Sequence, residues 1–141
     1  MFKGDFSHSI DSKGRLIIPV KFRDQLGDAF VITKGLDNCL FIYPTEEWNA
    51  FEEKLKTLPL TNPNARKFKR FFLAGADDVE LDRQGRILIN AKLRKAAGLG
   101  KDVVLVGVGE HIEIWDEEKW EDYSAYDDME EVAANMEDLG I

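Results

Sequence analysis

Apolar and polar residues alternate with a period of two over Phe6-Ser7-His8-Ser9-Ile10, which predicts a half-buried strand. The polar stretch Asp11-Ser12-Lys13-Gly14-Arg15 follows, and the aliphatic run Leu16-Ile17-Ile18 predicts a second, more buried strand. Between them the residue types are those of a tight turn: Asp11 can accept bonds from turn amides, and Gly14 tolerates a positive φ. Pro19 suits the first turn of a short helix, Val20–Leu26, with Phe22 and Leu26 on one face and Gly27 ending it in the left-handed conformation. Strands are predicted at Ala29–Thr33 and Cys39–Tyr43, joined by the turn residues Lys34–Asn38. Pro44-Thr45 then opens a helix with Thr45 as its N-cap and a buried stripe of Trp48, Phe51, Leu55 and Leu58. Pro59–Pro63 breaks the pattern, and Asn64–Leu73 predicts a helix rich in Phe, Lys and Arg.

The same order returns at an offset of 71 to 72 residues. Val79-Glu80-Leu81 enters Asp82-Arg83-Gln84-Gly85-Arg86, and Ile87-Leu88-Ile89 leaves it. Asn90 starts the helix Ala91–Ala97, which Gly98 ends. Val103–Val106, a Gly107–Gly109 turn and Ile112–Trp115 form the matching hairpin; Trp115 matches Tyr43, and Trp120 matches Trp48. This is an internal duplication. The expected class is mostly β with short helices (α+β), divided into a first repeat at 1–58, a linker with a basic helix at 59–74, a second repeat at 75–123 and an acidic tail at 124–141. Each half is too small for a comfortable core, so the halves are expected to share one, by pairing or by exchanging hairpins.

Charge changes this picture only when it is resolved along the chain. The net charge of −8 over 141 residues argues against a polyanionic partner. From residue 116 onward, however, eleven acidic residues face one basic residue, so the first 115 residues carry +2. The tail reads as a solvated, partly helical surface or as a guard that keeps nucleic acid off one face. No apolar run is long enough to cross a membrane and no signal-peptide pattern is present, so a soluble, cytoplasmic protein is expected. The single Cys39 cannot form an internal disulfide.

Candidate chemistry points away from catalysis. His8 and His111 occupy non-equivalent places and have no neighbours at zinc-ligand spacing; His8 reads as a half-buried strand histidine and Cys39 as a buried, inert thiol. No Gly-rich loop precedes a helix in the manner of a phosphate cradle. No catalytic residue, metal, cofactor or small-molecule substrate is expected. Lys3, Lys13, Arg15, Lys21 and Arg23, by contrast, gather around and after the first turn. Lys and Arg supply most phosphate contacts, and Arg can also grip a guanine edge. The alternative is that Asp11 and Arg15 simply pair across their own turn.

On Phe2-Lys3-Gly4, His8, Asp11-Ser12-Lys13-Gly14-Arg15, Pro19 and Asp82-Arg83-Gln84-Gly85-Arg86, the chain resembles the MraZ family of bacterial regulators over almost its whole length. The resemblance implies two tandem AbrB-like, swapped-hairpin repeats in an intertwined β-barrel. It also implies a ring-shaped homo-oligomer that binds repeated boxes in double-stranded promoter DNA and represses the division and cell-wall gene cluster. The motif arginine of such a family faces DNA, which carries over to Arg15 and to Arg86. The expected DNA-binding set is Arg15, Lys13, Lys21, Arg86 and Lys3, with Asp11, Gly14, Asp82 and Gly85 shaping the turns. Gln84 in place of Lys13 and Asn90 in place of Pro19 mark the second turn as the less basic copy. The alternative is an antitoxin-like interaction module that uses its acidic tail.

Overall fold

A computed structural model describes all 141 residues. The first repeat runs β1 (Phe2–Ser9), β2 (Arg15–Ile17), α1 (Val20–Leu26), β3 (Ala29–Lys34), β4 (Leu40–Pro44) and α2 (Thr45–Lys56). Helix α3 (Pro63–Gly75) links it to β5 (Asp77–Glu80), β6 (Arg86–Leu88), α4 (Ala91–Ala96), β7 (Asp102–Gly109), β8 (Ile112–Asp116) and α5 (Glu117–Tyr123). The tail adds α6 (Met129–Ala134) and a single 3-10 turn, Glu137–Leu139.

The two repeats exchange strands. One sheet has the order β1-β7-β8-β4-β3-β5, and β2 and β6 form a separate two-stranded ribbon. The first strand of each repeat thus pairs with the third strand of the other: His8 lies opposite Val103, and Val79 lies opposite Phe30. Equivalent strands meet at the centre, with Leu16 opposite Ile87 in the ribbon and Phe41 opposite Glu113 between β4 and β8. A local two-fold therefore relates the halves, and neither has its own complete sheet. The sheet ends at β1 and β5, so the intertwining expected from the resemblance is present without a closed cycle of paired strands.

Strand alternation sorts side chains into two cores. Phe30, Ile32, Leu40, Ile42, Val103, Leu105, Ile112 and Ile114 face one side, where they join Leu16, Ile18, Phe22, Ile87, Ile89 and Leu93 from the ribbon, α1 and α4. Val31, Phe41, Tyr43, Val104, Val106 and Trp115 face the other, against Trp48 and Leu55 of α2 and Phe72 of α3. Thr33, fully buried, donates from Oγ1 to the Phe72 carbonyl at 2.7 Å and pins α3 to the sheet. The turns and α3 consequently lie on opposite faces.

Local signals were mostly reliable, with three corrections. Thr45 does not cap α2; its hydroxyl donates to the Ala29 carbonyl at 3.1 Å, because β4 runs directly into the helix and leaves no free turn. Gly27 takes φ 75° with an extended ψ of −169°, not the left-handed helical conformation. Gly107 belongs to β7 rather than to a turn: a Cβ there would meet the backbone of Phe2 and Lys3, so close approach to β1 requires glycine.

Candidate nucleic-acid interface

Both Asp-x-x-Gly-Arg turns fold identically, and the aspartate is the reason. Asp11 Oδ1 accepts from the amides of Lys13 and Arg15, each at 2.9 Å, while Oδ2 accepts from Arg15 Nε at 2.7 Å. In the second copy Asp82 Oδ1 accepts from the amides of Gln84 (2.8 Å) and Arg86 (2.9 Å), and Oδ2 from Arg86 Nε at 2.8 Å. Gly14 and Gly85 close the turns at φ 84° and 75°, each donating to its aspartate's carbonyl at 3.0 Å. The Arg15 amide bond, followed by the other bonds of the turn, holds the Asp11 carboxyl at a pKa of about 2 despite a partial opposing effect of desolvation. Asp82 is lowered as well, chiefly by the Arg86 amide.

The pairing of Asp with Arg across each turn is therefore real, and it leaves the arginine usable. Only Nε is committed within the chain, so both terminal nitrogens of each guanidinium remain available as donors. Arg15 and Arg86 keep 32% and 23% of their side-chain surface exposed. An immobilised, part-exposed guanidinium with a vacant donor edge is suited to planar acceptors such as phosphate or a guanine edge.

The turns also brace one another. Ile18 N donates to Gly85 O and Ile89 N to Gly14 O, both at 2.9 Å, so each turn is stitched to the strand leaving the other. Arg23 of α1 donates from Nε to Ile18 O at 2.7 Å, and its guanidinium covers Gly85. Arg94 of α4 does the same to Ile89 O at 3.0 Å and covers Gly14. Arg15 and Arg86 sit diagonally across the ribbon, two residues or ~7 Å apart along it. Four arginines thus gather about the local two-fold.

Among the sequence-expected residues, Lys13, Arg15 and Arg86 lie in this cluster, with Asp11, Gly14, Asp82 and Gly85 as its frame. Lys21 is exposed on α1, with Nζ 6.0 Å from the Phe6 ring centre. Lys3 lies on β1 opposite Val108, eight residues or ~26 Å of extended chain before Asp11, and is not brought to the turn. Arg23 stood out in the sequence only as one of the basic residues after the first turn, and Arg94 is its counterpart in the second repeat; the role of each depends on contact with the other repeat's turn, which local sequence does not encode. The second turn is also not depleted of charge, since Arg83 stands where the first has Ser12. His8 is half-buried in β1, and burial pushes the Cys39 thiol far up. No three His, Cys, Asp or Glu side chains are grouped to hold a metal ion, and no helix is long and apolar enough to cross a membrane.

Comparison with known proteins places this geometry in a family. The family model described as "MraZ protein, putative antitoxin-like" matches twice, at residues 1–71 and 72–139, one match for each repeat. The chain is similar to proteins named "Transcriptional regulator MraZ" from Clostridium tetani (56% identical) and Thermoanaerobacter sp. strain X514 (57%), with the whole of both chains covered in each comparison. A relative of the same name from Lachnoclostridium phytofermentans is 57% identical, over 100% of this chain and 99% of its own. With its duplicated turn and both repeats matched, the chain belongs to the MraZ family.

Proposed function

We propose that this chain is a transcription regulator that binds repeated boxes in double-stranded promoter DNA, sequence-specifically and without catalysis. It represses the division and cell-wall gene cluster as a ring-shaped, cytoplasmic homo-oligomer associated with the nucleoid. The observation that carries the reading is the pair of Asp-held arginines presented side by side across the local two-fold. The names of the relatives support the regulatory part. Arg15 and Arg86 contact base edges or phosphate, Lys13 and Lys21 contact phosphates, and Asp11 and Asp82 orient the arginines. Lys3 can join only where the DNA path extends along β1. Repeated boxes and several copies of the chain gain affinity through effective concentration.

The test is Arg15→Ala, assayed for operator binding and for oligomer mass. A bidentate arginine contact contributes about 1–3 kcal/mol, so binding to a single box is expected to weaken by roughly 5- to 150-fold with the mass unchanged. Wild-type affinity in the variant would sink the assignment. The rival reading, an antitoxin-like module whose tail wraps another protein, draws on the family's description and the exposed tail. A stoichiometric protein partner lost on neutralising tail carboxylates, with no operator binding, would favour it.

A further inference from the structure

Two surfaces on the face opposite the turns are unpartnered and complement each other. The first is a shallow groove of about 260 Å³ lined by Leu36, Asn64, Lys67, Phe68 and Phe71. Its apolar side chains are open to solvent: Leu36 is 52% and Phe68 42% exposed, and Phe71 is half-buried. On the α3 side the charge is entirely positive, while Asp37 follows Leu36 at the other edge. Residues 59–76 contain Arg66, Lys67, Lys69 and Arg70 and no acidic residue, and Lys34 Nζ lies 4.8 Å from the Phe71 ring centre.

The second surface is the tail after α5. Its residues Met129, Val132, Met136 and Leu139 recur at intervals of three and four, the spacing of one helix face. Met129, Val132 and Leu139 are exposed, and no tail residue is buried. Asp127, Asp128, Glu130, Glu131, Glu137 and Asp138 surround this stripe, and residues 120–141 hold no Lys or Arg. An amphipathic acidic segment without a surface thus accompanies a basic apolar groove without an occupant.

We propose that the groove of α3 and Leu36 receives the acidic tail of a second copy of this chain. Met129, Val132 and Met136 would cover Leu36, Phe68 and Phe71, and the tail carboxylates would face Lys67, which lines the groove, and Lys34, whose Nζ lies over the Phe71 ring. The tail leaves the body beside the groove, since the Tyr123 hydroxyl donates to Asp37 at 3.5 Å, next to Leu36. It nevertheless makes no contact that buries it on its own chain, so the occupant is the neighbour's tail. Because α3 and the turns lie on opposite faces, this docking leaves every Asp–Arg turn open. The inference rests on the proposed homo-oligomer, but its readout does not involve DNA.

The test mixes full-length chains carrying light and heavy nitrogen, allows subunit exchange, and joins carboxylates to lysines with a zero-length coupling reagent. Cross-links of mixed label between Lys67 or Lys34 and Glu130 or Glu131 are expected. Lys67→Glu, which removes that amine and reverses the charge, should lower the oligomer mass; adding Glu130→Lys and Glu131→Lys should restore the mass and give mixed-label cross-links of reversed polarity between residue 67 and the tail. Same-label cross-links alone would show the tail closing on its own groove, and would overturn the proposal. Absent cross-links in a wild-type oligomer would overturn it while leaving the ring standing; a monomeric wild type would remove both.

Discussion

At Asp11 and Asp82 one carboxylate decides both the shape of a turn and the aim of an arginine. Each accepts two backbone amides and one guanidinium N–H, so its charged form is favoured in the folded protein. The folded Asp11 pKa, about 2, lies below its ordinary 3.8, and the sign of the linkage follows. The stabilisation is present above pH 3.8 and is lost as pH falls through 2. Thermal denaturation of the protein and of an Asp11→Asn, Asp82→Asn variant should therefore converge as pH drops from 5 to 2. Curves that stay parallel would show that these carboxylates do not govern the acid limb. The glycines beside them are fixed for another reason. Both have positive φ, and a Cβ at Gly85 would collide with the Arg23 guanidinium, whereas at Gly14 it would lie 3.1 Å from the Ile89 carbonyl. Gly85→Ala and Gly14→Ala should each lower stability by about 1–3 kcal/mol, read as a shift in the urea midpoint. Of the pair, Gly85→Ala should also disturb the Arg23–Ile18 bond.

The ribbon β2–β6 is short, but it carries the junction between the repeats. Leu16 and Ile87 face each other across the local two-fold, with 0% and 1% exposure. Leu16→Ala removes a side chain that both halves enclose, so a loss of about 2–5 kcal/mol is expected, with both repeats unfolding in one transition. Two separate transitions in calorimetry would contradict the shared core. Local elements such as α1, α2's Trp48–Leu55 stripe and the Asn90 cap on Leu93 N were legible because spacing and residue type determine them nearby. The duplication was legible too, as matched positions. Exchange between the halves was expected, as one of two ways to share a core and from the family resemblance, but its register was not legible: His8 meets Val103 and Phe30 meets Val79 because each repeat's first strand crosses to the other, a choice made by long-range packing. The same limit hid what Arg23 and Arg94 do, since each bonds a carbonyl of its own repeat while its guanidinium covers the turn glycine of the other. It also made Gly107 look like a turn residue when its neighbour is the backbone of β1.

The whole molecule divides its charge between faces as well as along the chain. One face presents Arg15, Arg23, Arg86 and Arg94 around the ribbon, while the acidic α5 packs its Trp120 against the opposite core. Polyanion binding and a net charge of −8 are compatible under this arrangement, because screening over ~8 Å at physiological salt separates the faces. Each phosphate contact should add about 0.9 to the steepness of affinity against salt, so Lys13→Ala should flatten that slope by about one contact. The local two-fold makes a sharper statement, since it gives the second turn the same frame as the first and sets Arg83 where Ser12 stands. Arg86→Ala should then weaken a single box by a factor close to that of Arg15→Ala. In a multi-copy assembly the defect recurs at every copy. A probe with two boxes engages two copies, and its affinity varies with the product of the two intrinsic affinities and an effective concentration. A tenfold loss on one box should thus become about a hundredfold loss on two. Titrating one-box and two-box probes with both variants reads this directly; equal losses on the two probes would mean that only one copy touches DNA at a time.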